Sequence, residues 1–374
     1  MKSQNIQYVP ALDHLRGFAA LLVLFYHGVF GIYHDLTTVP PVLAYTDEML
    51  PKADFFLSAF VYEGHSGVAL FMVLSGFIFT IGTHGHDISY WQFIRNRFLR
   101  TYPLFLFMLF IGVYANPASF DFSGLLQSIF FFANMPGSAI GGAFTNVHWA
   151  VAVEWQFYLI FPFLIYFVRQ QGLRVVFGMI FLLIIMRSLI YLEGLSVSQL
   201  TYMTIVGRLD QFLIGICIGV YYLKRFKKDL MHDCLFVASL ALVAAALYLF
   251  NLNGGLLTDQ YSKVWWPTIE GGMWAAFILG YLSFSRWVPK VVSAVLIKLG
   301  VISYSVYLLH FVLVDITIKQ GWLVEVGPDN IIGSAYATSV LVILPLSLAV
   351  SIMTYHFIEK PFLKLRGVYR QPIK

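Results

Sequence analysis

Ten apolar stretches, each near twenty residues, succeed one another between residues 12 and 357, and no other feature constrains the chain so tightly. A hydrocarbon core about 30 Å thick takes a helix of roughly 20 apolar residues, with about 17 to 25 tolerated. On that ruler the spans fall at 12–33, 63–83, 101–116, 147–168, 174–192, 201–223, 232–252, 266–285, 296–317 and 333–357. Within lipid every backbone N–H and C=O has to be satisfied by the protein itself, which a helix does along its own length. The predicted fold class is therefore all-α, a polytopic membrane helical bundle of about ten transmembrane helices. The segment 124–135 is apolar but too short to cross, and reads as re-entrant or interfacial.

Composition agrees. The 374 residues are 59% hydrophobic and only 11% charged, where a soluble domain has about 25% charged. That excludes a soluble enzyme, a disordered tail protein and a nucleic-acid binder, despite a formal charge of +5. Placement of the charge is more telling, because loops rich in Lys and Arg stay in the cytoplasm. With the N-terminus inside, the inner segments collect 19 of the 24 Lys and Arg residues; only Lys52, Arg187, Arg208, Lys263 and Lys319 fall in outer loops or within spans. Both termini are thus predicted to be cytoplasmic, with outer loops near 34–62, 117–146 and 318–332. No repeat or low-complexity linker divides the chain, so residues 1–374 read as a single membrane domain with its core at 12–361. Cys217 and Cys234 lie in unlike settings, which argues against a disulfide framework and against a thiolate metal cluster. The stretch 18–32 is too long for a signal-peptide core and carries His27, so it is expected to be retained as the first span.

Ionisable groups inside a membrane cost at least about 2.5–3.5 kcal/mol on insertion scales, so each is a functional candidate. Arg16 and His27 stand eleven apart in the first span. At about 100° per residue that is three turns plus about 20°, one face of the helix, with about 16 Å between the two side chains. Asp13 joins that face one turn below Arg16. The face either lines a shaft from the cytoplasmic mouth to the middle of the membrane, or Arg16 is an anchor and His27 a packing partner. A neutral imidazole is well suited to accept and return a proton there. Arg97 and Arg100 are i, i+3 neighbours at the entry to the third span; two forked guanidiniums suit phosphate, and a positive-inside anchor explains them nearly as well. Glu154 in the fourth span needs a partner or must become neutral, and Arg187, Arg208 and Asp210 are the candidates. Tyr158 follows one turn deeper. Ser303, Tyr307 and His310 make a polar stripe in the ninth span, while Gly67, Ser75 and Gly76 suit close helix packing. His356 to Pro361 reads as an inner-side helix stop. From spacing alone, an acyltransferase and a proton-coupled transporter of a sugar or organic acid both remain open.

The ordered motifs resemble the acyltransferase-3 family of integral membrane O-acyltransferases. They are Leu12-Asp13-x-Leu-Arg16-Gly with His27, the run from Leu70 to Ser75-Gly76-Phe, Arg97-x-x-Arg100 followed by Tyr-Pro, Trp149 with Glu154 and Tyr158, Gly207-Arg208-Leu-Asp210, Ser303-Tyr304-Ser305 through His310, and Ile358-Glu359-Lys-Pro361. His14, Met72 and Asn96 depart from the usual pattern without touching Arg16, His27, Arg97 or Arg100. The resemblance implies O-acylation, usually acetylation, of an exported or cell-surface carbohydrate such as O-antigen or exopolysaccharide. It implies a bacterial inner-membrane location and the stand-alone branch without an SGNH-type hydrolase domain. Acetyl-CoA would be the donor substrate, with no bound cofactor and no metal; the acceptor would be a glycan, free or lipid-linked. Other partners would be membrane lipids and not nucleic acid, with homo-oligomerisation left open. Residue by residue, His27 would be catalytic, aided by Arg16, Asp13 and Glu154. Arg97, Arg100, Arg16 and Ser75 would bind the donor. Tyr158, Trp149, Arg208, Asp210, Tyr304 and His310 would serve the acceptor or the polar framework. Whether His27 acts as general base or as acyl relay is not decided by the sequence.

Overall fold

A computed structural model describes residues 5, 7–37, 52–135, 137–138, 140–256, 258–327 and 329–372. Residues 38–51, about half of the outer loop expected at 34–62, lie outside the described residues. The helices are α1 (Pro10–Leu36), α2 (Phe56–Tyr62), α3 (Gly67–Thr83), α4 (Tyr90–Ala115), α5 (Phe122–Ile129), α6 (His148–Gln171) and α7 (Arg174–Leu192). Then follow α8 (Val197–Met203), α9 (Ile205–Arg225), α10 (Leu230–Leu252), α11 (Ser262–Phe284), α12 (Lys290–Lys319) and α13 (Ile331–Leu363). Two two-residue strands, β1 (Asp87–Ile88) and β2 (Arg370–Gln371), pair antiparallel. The chain is a multi-pass helical membrane protein.

Among the described residues, nine helices are long and apolar enough to cross a membrane: α1, α3, α4, α6, α7, α9, α10, α12 and α13. The span expected at 266–285 is α11, which is not one of the nine. It buries Lys263 and Glu270 and packs among α3, α7, α9 and α10, so much of its surface meets protein rather than lipid and an apolar sequence is not required of it. The termini show that it crosses all the same. The Asn5 side-chain amide donates to Gly367 O at 3.0 Å and its carbonyl accepts from Tyr369 N at 2.9 Å. Both ends of the chain therefore lie at one face of the bundle, which requires an even number of crossings, and α11 supplies the tenth.

Close backbone approach sets the helix layout. A Cβ on Gly76 would fall 2.1 Å from Phe212 O, and one on Gly215 would fall 2.2 Å from Val73 O, so α3 and α9 cross in backbone contact. A Cβ on Gly300 would sit 2.0 Å from Asp13 O, which brings α12 against α1 along their lengths. Dispersion and close fit drive such contacts where no hydrophobic effect operates between helices.

Two elements differ from the sequence expectation. Helix α4 begins at Tyr90, eleven residues before the expected span, so Arg95, Arg97 and Arg100 ride on the transmembrane helix itself. The last helix does not stop at Lys360: it passes through π-helical turns at Ser339–Ile343 and Tyr355–Glu359 and continues past Pro361 to Leu363. A π turn loosens the hydrogen-bond ladder locally, which accommodates the missing proline N–H. The segment 124–135, expected to be re-entrant or interfacial, packs against α4 and α6. The Tyr102 hydroxyl, midway along α4, donates to Ile129 O, and Gln156 Nε2 donates to Phe131 O at 2.9 Å, so irregular backbone inside the bundle finds its partners on protein.

Candidate active site

A cavity of about 470 Å³ runs between α1, α3, α4, α6, α12 and α13. Its rim carries Gln7, Tyr8 and Arg366, at the face where both termini lie. Its deep end reaches Val68 and Ala150, the second residue of α3 and the third of α6, close to the opposite face. Four guanidiniums line it, Arg16, Arg97, Arg100 and Arg366, against the carboxylates of Asp13 and Glu154. The wall is thus positive by two charges.

Each arginine is held differently. Arg16 stands 4.0 Å from Asp13, whose other oxygen accepts from the Tyr8 hydroxyl at 2.9 Å. Burial, reinforced by that carboxylate, pushes the Tyr8 phenol up to about 12. Arg100 pairs at 3.3 Å with Glu359, a carboxylate only 1% exposed that also accepts from the Ser305 hydroxyl. Arg97 lies over the rings of Phe79, Phe93 and Tyr158, at 4.9, 5.5 and 6.0 Å from their centroids. Its Nε is buried, and among the described residues no hydrogen-bond acceptor reaches it. Such an atom costs free energy unless a ligand satisfies it. Arg366, beyond the last helix, is lowered to about 10 by burial and by the neighbouring Arg100, Arg97 and Arg16. It therefore keeps its charge at neutral pH, and its depression registers how closely the four cations crowd.

The carboxylate of Glu154 accepts from Ser75 Oγ at 2.8 Å inside the cavity. None of the three partners expected for it from the sequence is the one it uses. Arg187 instead pairs with Asp210 at 2.9 Å, and Arg208 with Glu270 at 3.1 Å, all four side chains at most 3% exposed. Those pairs stitch α7, α9 and α11 together away from the cavity. Trp149 also stands off the cavity, its ring 4.7 Å from Tyr202. Tyr158 and Tyr304 line it, the latter donating to Thr101 O at 2.6 Å.

His27 departs from the expected shaft in two respects. It lies two-thirds of the way along α1 (Pro10–Leu36), past the middle and level with the turn Gly64–Ser66. It is also not part of the cavity wall. Phe71 and Tyr307 close the deep end there, their rings 6.1 Å apart, and Tyr307 in turn touches His310 at 5.8 Å. His27 points inward to that second imidazole: its Nδ1 is 3.0 Å from His310 Nε2 and 3.1 Å from Val23 O. Arg16 thus lines the cavity, whereas His27 lies behind its closed end in a different layer of the bundle.

Sequence reasoning missed Arg366, Tyr369, Tyr355 and Glu359 as members or neighbours of this site. Burial raises the Tyr369 phenol while Arg97 draws it back. Nothing periodic marks Arg366 and Tyr369, beyond the last helix; they reach the cavity because Asn96 exchanges two hydrogen bonds with Gly367, at 2.6 and 3.0 Å, while Tyr355 and Glu359 are set by the π turn of α13.

This geometry coincides with a family match over residues 9–356, to the acyltransferase domain of acyltransferase-3. The chain belongs to the acyltransferase-3 family. Among its relatives, the exopolysaccharide production protein ExoZ of Rhizobium meliloti is 26% identical over 82% of this chain and 92% of that protein. The peptidoglycan O-acetyltransferase OatA of Listeria monocytogenes is 23% identical over 96% of this chain, which spans only 56% of OatA. The acyltransferase MdmB of Streptomyces mycarofaciens is 27% identical over 44% of this chain. No solved structure matches the chain significantly. As a member of this family it is a membrane acyltransferase.

Proposed function

We propose that this acyltransferase moves an acetyl group from acetyl-CoA, entering from the cytoplasm, to a hydroxyl of an exported or cell-surface carbohydrate at the bacterial cytoplasmic membrane. The observation that carries the reading is the four-arginine cavity with the buried Arg97 Nε, which no described residue satisfies. Coenzyme A bears phosphates for which forked guanidiniums are the matching donors, and its slender pantetheine arm suits a channel running from the terminal face toward the other. Two relatives, ExoZ, named for exopolysaccharide production, and OatA, named as a peptidoglycan O-acetyltransferase, support a glycan acceptor.

In this reading the Phe71–Tyr307 contact parts to admit the thioester to His27, and the acceptor hydroxyl oxygen attacks the thioester carbonyl carbon. A C–O ester bond forms, the C–S bond breaks, His27 Nε2 takes the hydroxyl proton, and the proton passes to the leaving thiolate to give free CoA. Neutral His27 is regenerated. Arg16, Arg97, Arg100 and Arg366 hold donor phosphates, while Ser75 and Glu154 form a polar station along the arm. The acceptor approaches from the face opposite the termini, near which His27 lies.

Labelled acetyl-CoA supplied to membranes holding the protein tests this. Ester label on a glycan, lowered about 10²- to 10⁴-fold in His27→Ala, is the expected result. Solute movement driven by a proton gradient with no turnover of acetyl-CoA would establish a transporter instead. Label on His27 itself with donor alone would replace the base with a relay.

A further inference from the structure

The proposed role of His27 requires one particular tautomer, and the protein supplies a residue that selects it. This step rests on the acyl-transfer reading. His27 Nδ1 faces two groups, Val23 O at 3.1 Å and His310 Nε2 at 3.0 Å. His310 Nδ1 faces Val306 O at 3.2 Å. A carbonyl oxygen only accepts, so Nδ1 of each neutral ring carries the hydrogen. For His310 this leaves a bare Nε2, which accepts the Nδ1–H of His27. The lone pair of His27 is then on Nε2, which makes no hydrogen bond to any described residue and is free for an incoming proton.

We propose that His310 is the positioning residue of His27. By accepting at Nε2 it holds His27 in the Nδ1–H tautomer, fixes the ring plane, and disperses the positive charge that appears when Nε2 takes the acceptor's proton. A base oriented by a third group through its other nitrogen is a recurrent catalytic arrangement; here the third group is a neutral imidazole, and His310 touches neither donor nor acceptor. Its placement is rigid. His310 is 0% exposed, α12 meets α1 in backbone contact at Gly300, and Phe311 closes edge-on against His27 at 5.2 Å. Val23 O alone would not do the same, since a carbonyl one turn back on the same helix turns with the ring's own backbone and adds no external reference.

The test uses the full-length protein in membranes with labelled acetyl-CoA. Gln carries an amide oxygen at about the reach of His Nε2; Met fills the volume without a comparable acceptor. We expect His310→Met to lose about 10²-fold in kcat with donor KM unchanged, the low end of what a general base contributes, and His310→Gln to stay within about tenfold of wild type. In a His27→Ala background His310→Met is expected to cost nothing further, as residues acting as one unit are non-additive. A purely packing role predicts equal activity for Met and Gln, and that result would overturn the proposal, as would full additivity with His27→Ala. If His310→Met fails to insert, His310→Asn replaces it, drawing the oxygen back by one methylene while keeping a polar side chain. No label transfer by wild type would defeat the acyl-transfer reading itself; transfer by wild type with a silent His310 series defeats only this step.

Discussion

Arg97 is the residue at which charge and its surroundings are most at odds. Among the described residues its guanidinium is stacked over aromatic rings rather than paired with a carboxylate, and no acceptor reaches its buried Nε. A cation held by π faces keeps its in-plane donors for a ligand. Arg97→Lys should raise KM for acetyl-CoA roughly tenfold, and Arg97→Ala further, with kcat less affected because His27 is remote. Donor titrations of initial rates check this, and unchanged KM in both variants would reduce Arg97 to a topological anchor. Arg100 is the contrasting case, since Glu359 already occupies one side of it and leaves fewer donors for a phosphate.

At the scale of helices, small residues determine which elements can meet. The α3–α9 crossing admits no side chain at Gly76, where Phe212 O lies 2.1 Å from an added Cβ. Gly76→Ala is expected to destabilise by about 1–3 kcal/mol through overpacking, and because α3 carries Ser75 the cavity wall shifts with it. Gly178 on α7 is the internal control: nothing lies within 4 Å of a Cβ there, so Gly178→Ala should be neutral or stabilising by up to about 1 kcal/mol through helix propensity. Thermal unfolding of the detergent-solubilised variants separates them, and equal stability would remove the crossing as a constraint. The π turn Tyr355–Glu359 works at the same scale, setting Tyr355 on the cavity and Glu359 against Arg100 from one short stretch.

Across the whole molecule, α11 decides topology. Ten crossings put the termini on one face and the turn at Gly194, after α7, on the other. In a background lacking Cys217 and Cys234, single cysteines at Gln7 and Gln371 should react with an impermeant thiol reagent from the cytoplasmic side, and a cysteine at Gly194 from the opposite side. Labelling of the two terminal positions from different sides would show nine crossings instead. The cavity depends on the same arrangement: its rim is assembled from residues before α1 and after α13, and these meet only when the chain returns to its starting face.

What the sequence by itself determined was whatever lipid and local geometry dictate. Uninterrupted apolar length marks a span whichever helices later pack against it, and the surplus of Lys and Arg assigns the cytoplasmic face; hence the bundle, nearly all its spans, and the placing of Arg16, Arg97 and Arg100 toward one end were legible. Motif order pointed to the family. Tertiary structure alone decided the partners. Glu154 took Ser75 rather than an arginine because Arg187 and Arg208 were claimed by Asp210 and Glu270 on packed neighbours. Arg366 joined the arginine-lined cavity from beyond the last helix, and His27 found His310 across 283 positions of chain. Periodicity describes one helix at a time, whereas pairing of buried charge is settled by which helices lie side by side.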